Sequence, residues 1–137
     1  MARFDTTGID DIIQEMSMLG QNVGPVAKQM VLAAAEEIKQ AWKDVARERG
    51  LKDTGEMIES IGYGGLEVER LGDIYYKDVY PQGKDSKGVR NAEKAFILHY
   101  GRSNYPATYW VDEADDRSAA PVQAKLEDIW DRFMQIL

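Results

Sequence analysis

The chain has no cysteine. That excludes disulfides, thiolate nucleophiles and cysteine-ligated metal centres, and it suits a reducing compartment such as the cytosol. Histidine occurs once, at His99, which leaves little for histidine-based catalysis. No apolar run approaches the roughly 18 residues a membrane span needs. The opening Met1-Ala2-Arg3-Phe4-Asp5 lacks the apolar core of a signal peptide. The glycine cluster Gly62-Tyr63-Gly64-Gly65 is not followed by Gly-Lys-Ser/Thr, so it is not a phosphate-binding loop. Neither Ser60 nor Ser103 sits in a Gly-x-Ser-x-Gly elbow. No calcium-loop spacing, internal repeat or low-complexity tract is present.

What is present describes an ordinary soluble globular protein. The 137 residues predict a single domain, 1–137, with one hydrophobic core. Hydrophobic residues make up 44% and charged residues 30%, close to the globular average. The net charge of −7 disfavours general nucleic-acid binding. The charge is unevenly placed. Residues 81–104 sum to +3, through Lys84, Lys87, Arg90, Lys94 and Arg102. Residues 105–137 sum to −4. The two segments are either separate solvated faces or partners, within a subunit or between subunits.

Periodicity predicts the elements. Ile9, Ile12, Ile13, Met16 and Leu19 recur at helical spacing over 8–19. The longest helix is expected over 25–49. Pro25 fits its first turn, Val26, Met30, Ile38, Trp42 and Val45 form its apolar stripe, and Gly50 ends it. Asp53 and Glu56 have capping-box spacing before a short helix, where Met57, Ile58 and Ile61 would reach the core. From Leu66 the period changes to two. Leu66 and Val68, then Ile74, Tyr76 and Tyr80, predict two antiparallel strands with one wet face around a turn at Leu71-Gly72-Asp73. Residues 81–91 read as a long loop, of the kind that is often functional or mobile. Residues 92–100 fit a strand or a helix, with helix favoured, ended by Gly101 and carrying Ala92, Ala95, Phe96 and His99 on one face. A helix entered at Pro106 should break near Ser118 and Pro121, before a last helix with Val122, Leu126, Ile129, Trp130 and Phe133 as its stripe. The fold class expected is α+β: a small antiparallel sheet packed against a long N-terminal helix, with C-terminal helices.

Candidate chemistry is sparse. A lone histidine on an apolar segment is more often packed than catalytic, although His99 could act as a general base if a carboxylate oriented it. Asp112-Glu113-x-Asp115-Asp116 supplies oxygen ligands, but neighbours one apart on a helix do not converge, and a solvated acidic face explains them. No catalytic, cofactor or metal residue is assigned. The tyrosines, seven in all, cluster in the middle and late chain. Tyrosine and arginine are favoured at protein interfaces, because they bury area at low entropic cost and keep a polar tip. The candidate interface comprises Lys84, Lys87, Arg90, Tyr100, Arg102 and Tyr105.

Two short signatures then acquire meaning from their order: Asp53-Thr54-Gly55-Glu56-Met57-Ile58-Glu59-Ser60-Ile61, and Ile97-Leu98-His99-Tyr100-Gly101 with Pro106-Ala107. With the opening Gly8-Ile9-Asp10-Asp11-Ile12, the long second helix, the tyrosine-rich strands and the amphipathic C-terminus, the chain resembles the siphophage (lambda-like) tail-completion or head–tail joining neck proteins, also described as minor tail components. The family usually carries an acidic residue where this chain has His99. The resemblance implies a bacteriophage or prophage structural protein, not an enzyme, without cofactors. Its partners would be phage head-completion or tail-terminator proteins and copies of itself, with no membrane and no specific nucleic acid. It would be assembled in the host cytoplasm and end in the virion, as a ring. Loop 81–91 would order on docking. The alternative reading is a small cytosolic protein-binding adaptor or regulator, and behind it an enzyme using His99.

Overall fold

The computed structural model of the protein describes residues 23–51 and 55–136. The helix expected over 8–19 and the cap expected from Asp53 lie outside the described residues. The fold is α+β. Long helix α1 spans Val23–Glu48, and a single turn α2 spans Glu56–Glu59. Four short strands follow: β1 (Ile61–Gly62), β2 (Glu69–Leu71), β3 (Ile74–Tyr76) and β4 (Tyr80–Pro81). Helices α3 (Asn91–Tyr100) and α4 (Trp110–Ile136) complete it.

Helix α1 forms as its stripe predicts, because Met30, Ala34, Ile38, Trp42 and Val45 are all buried on one side. Its C-terminus is a Schellman motif. The Leu51 amide donates to Ala46 O at 2.9 Å and the Gly50 amide to Arg47 O at 3.0 Å, with Gly50 at φ +67°. Leu51, the residue after the left-handed glycine, packs against the core.

The principal contact is between α1 and α4. Trp42 meets Trp110 edge to face, with ring centroids 5.5 Å apart at 74°, an arrangement favoured by the ring quadrupoles. Alanines 34, 35, 46 and 114 are buried in the same core, and their small side chains let helix backbones approach closely. The Trp42 indole N–H donates to Asp115 Oδ1 at 2.9 Å, and Arg117 and Arg49 bind Glu48 and Glu113 at the margin. These bonds join the end of α1 to the start of α4, so the helices run antiparallel.

Helix α4 differs from expectation. It begins at Trp110, not Pro106, and runs through Ser118 and Pro121 without a break. Proline at 121 removes one backbone donor. The buried positions Trp110, Ala114, Ser118, Val122, Leu126 and Ile129 nevertheless keep helical spacing across it, so packing on α1 holds one continuous helix.

The strands form two separate antiparallel pairs rather than one sheet. In one, Ile61 pairs with Pro81 and Gly62 with Tyr80. Ile61 therefore reaches the core from a strand, not from the short helix. In the other, Glu69, Arg70 and Leu71 pair with Tyr76, Tyr75 and Ile74 around a Gly72–Asp73 turn. Leu66 and Val68 lie outside that strand. The expected single wet face is absent, since β2 is exposed throughout and Ile74 and Tyr76 are exposed as well.

Candidate interaction surface on helix α3

Residues 91–100 form a helix, ended at Gly101, whose amide donates to Ile97 O at 2.7 Å. Asn91, Ala95 and His99 face inward. Phe96, expected beside Ala95 and His99, points outward at 62% exposure, and Tyr100 is 58% exposed. The correction follows from helical geometry. Residues 91, 95 and 99 are spaced by four and make a narrow buried seam, while 93, 96 and 100 make the opposite stripe. The Phe96 and Tyr100 rings lie 4.7 Å apart.

The segment after α3 is tightly built. Gly101 adopts φ +77°, ψ 177°, a region essentially reserved for glycine. A β-carbon there would meet Ala107 N and Tyr105 O at 2.7 Å. This contact gives the Tyr100-Gly101 and Pro106-Ala107 spacing a physical reason: the backbone turns back on itself where a side chain cannot fit. Arg102 and Tyr105 close the turn with two backbone hydrogen bonds of 2.9 Å. The Arg102 guanidinium lies over the Tyr105 ring, 5.1 Å from its centroid, a cation–π placement.

His99 is a packed residue. Its Nδ1 accepts the Val111 amide at 3.3 Å, which places the neutral ring's proton on Nε2. Val111 is the second residue of α4, whose first amides have no helical acceptor. The imidazole therefore does the work of a helix cap. Its Nε2 lies 3.9 Å from Asp112 Oδ1, and the Tyr100 and Tyr109 rings flank it edge-on. Tyr109 itself holds φ +49° at the helix entry, where its carbonyl receives the Asp112 amide at 3.1 Å.

At the other end of α3, residues 82–91 are ordered rather than loose. Asp85 Oδ1 accepts the amides of Lys87 and Val89, each at 2.9 Å, and its other oxygen contacts the Lys94 ammonium. These bonds, that from Lys94 first, hold the Asp85 carboxyl below the usual carboxylate range. Glu56 accepts from the Ser86 amide and hydroxyl. Lys84 and Arg90 form a backbone bridge. The loop's polar groups thus find partners within the chain itself. A short polar side chain that satisfies nearby amides makes such turns.

All six candidate interface residues are exposed. They fall into two groups: Lys84, Lys87 and Arg90 at the start of α3, and Tyr100, Arg102 and Tyr105 at its end. Ten helical residues separate the groups by about 15 Å. Phe96, exposed on the helix between them and 4.7 Å ring to ring from Tyr100, completes this exposed set, the α3 ridge. The sequence reading missed it, although its spacing of four from Tyr100 was the available signal. Tyr109, half exposed beside His99, was missed as well.

Among the described residues, no helix is long and apolar enough to cross a membrane, and no three acidic or histidine side chains converge on a possible metal position. Comparison with known proteins finds no matching family model, no matching curated protein and no matching solved structure.

Proposed function

We propose that this protein is a structural component of a bacteriophage or prophage head–tail junction, acting in tail completion or head–tail joining through protein–protein contacts. The observation that carries the reading is the α3 ridge, where Arg90, Phe96, Tyr100 and Arg102 stand in solvent. Exposed aromatics with flanking arginines have the composition of an interface centre. The order of the sequence motifs supplies the family, and the turn at Gly101 gives one of those motifs a structural reason. Phage head-completion or tail-terminator proteins and further copies of the chain are the proposed partners. The assembled virion is its place, reached from the host cytoplasm.

The test is electron microscopy of lysates from a phage or prophage whose gene carries a stop codon at Trp42. Filled heads lying apart from finished tails are expected. Intact virions would overturn the proposal and favour the cytosolic adaptor. Reversing Lys84, Lys87 and Arg90 to glutamate should give the same assembly defect in a folded protein, because all three side chains are exposed.

A further inference from the structure

Aspartate and lysine are almost never withdrawn from water unless paired. Asp85 and Lys94 form such a pair, between the loop before α3 and the first turn of that helix. The Asp85 side chain is 1% exposed and that of Lys94 20%. Ions buried this far give up hydration that their attraction only partly repays. The contact has a second unusual feature. Asp85 Oδ2 is buried and touches the Lys94 nitrogen, yet it accepts no hydrogen bond of ordinary geometry. The nitrogen sits against the carboxyl group without being aligned as a donor to it.

The other carboxyl oxygen is held differently. Oδ1 accepts the backbone amides of Lys87 and Val89, each at 2.9 Å. Two N–H groups converging on one oxygen are what stabilises the negative charge that develops on a carbonyl oxygen in acyl transfer. The turn that supplies them is itself braced. The Asp85 amide donates to Val89 O at 2.8 Å, the Gly88 amide to Asp85 O at 3.0 Å, and the Ser86 amide to Glu56 Oε2 at 3.1 Å. One carboxyl group thus has an oxygen in a two-amide cradle and an oxygen against an amine, where water hardly reaches. Reacting groups held together in this way gain effective molarities of about 10⁵ M or more when well oriented.

We propose that Lys94 and Asp85 join covalently, through an intramolecular isopeptide bond between Nζ and Cγ. The ion pair is the resting reactant. A proton passes from the ammonium to Oδ2 and leaves an uncharged amine and acid, the forms that burial favours. Nζ attacks Cγ, and the charge that develops on Oδ1 is held by the Lys87 and Val89 amides. A second nitrogen proton goes to Oδ2, which departs as water. The Cγ–Nζ bond forms, the Cγ–Oδ2 bond breaks, and nothing is oxidised or reduced. One positive and one negative charge disappear together, so the net charge is unchanged. The bond staples the loop that carries Lys84, Lys87 and Arg90 to the start of α3. Once joined, neither group titrates, so the pH response of Asp85 belongs to the unjoined chain. The inference concerns the covalent state of the chain and is independent of the proposed function.

Mass spectrometry of the purified, denatured full-length chain decides it. The wild type should be lighter than its sequence mass by one water, about 18 Da. Trypsin locates the loss. It cuts after Lys84, Lys87 and Arg90 but not after an acylated Lys94, so peptide 85–87 should remain attached to peptide 91–102. K94R keeps a cation beside the carboxylate but has no amine that condenses. It should show its full sequence mass and separate peptides, with circular dichroism confirming that it folds. A wild-type chain that keeps its full mass after prolonged incubation at neutral pH, and is cut by trypsin at Lys94, overturns the inference. So does a water lost by closure of Asp85 onto the Ser86 amide, which would leave the two peptides apart. A joined peptide pair in K94R would overturn it as well.

Discussion

Replacing Gly101 with alanine should cost this protein far more than replacing a glycine in open space. Two penalties act together. At φ +77°, ψ 177° a β-carbon incurs about 1–3 kcal/mol of backbone strain. It would also stand 2.7 Å from both Ala107 N and Tyr105 O, which are backbone atoms and cannot swing away. Overpacking of that kind adds about 1–3 kcal/mol. The expected loss is therefore about 2–6 kcal/mol, against a typical domain stability of about 5–15 kcal/mol. Gly50 supplies the control. It also has a positive φ, +67°, but nothing lies within 4 Å of its β position, so G50A should cost only about 1–2 kcal/mol. Urea unfolding followed by circular dichroism measures both. With an m-value of about 1–3 kcal/mol/M, the two midpoints should separate clearly. A G101A protein no less stable than G50A would refute the steric account of the Tyr100–Ala107 turn.

Burial raises the Asp115 carboxyl above its ordinary value, against the lowering effect of the Trp42 hydrogen bond. The native state therefore binds that proton more readily than the unfolded chain. Stability falls as pH rises through the ordinary and then the raised value, and the penalty persists at neutrality. D115N keeps an oxygen for Trp42, so it should be slightly more stable at pH 7, by under about 1 kcal/mol after solvent screening. The gain should vanish below about pH 3.9, as urea midpoints at the two pH values would show. Asp85 has the opposite sign: its ionised form is favoured in the fold, so its contribution is present at neutrality and is lost as pH falls through its lowered value. D85A, which removes the oxygen that accepts the Lys87 and Val89 amides, should speed hydrogen exchange at both, and unchanged protection there would count against the clasp. P121A restores a helical donor to Arg117 O and should raise stability by up to about 3 kcal/mol; a loss would mean that α4 requires the proline.

The long helices were legible because their information is local. The apolar stripe of α1 and the glycine after it predict a helix and its stop without reference to any neighbour, and both form as read. The helical reading of 92–100, and its end at Gly101, rests on the same local signal. Other features depended on tertiary contact. Ser118 and Pro121 signal a break locally, yet burial against α1 continues on both sides and outweighs one missing hydrogen bond. The alternation from Leu66 onward predicts one half-buried sheet. Ile61–Gly62 instead takes Tyr80–Pro81 as its partner, and β2 and β3 stand apart as an exposed hairpin.

The candidate surface divides in the same way. Its residue types were readable, because arginine and tyrosine concentrate in one segment. Which of them share a face was decided by the fold. Phe96 turns outward because Asn91, Ala95 and His99 occupy the seam, and a ten-residue helix can bury only one. The separation of the basic segment from the acidic one was likewise settled in three dimensions. Composition fixes the amounts of charge, but only the packing of α4 on α1 leaves Asp116, Glu127 and Asp131 exposed, while Asp115 turns in to Trp42 and Asp112 lies beside His99.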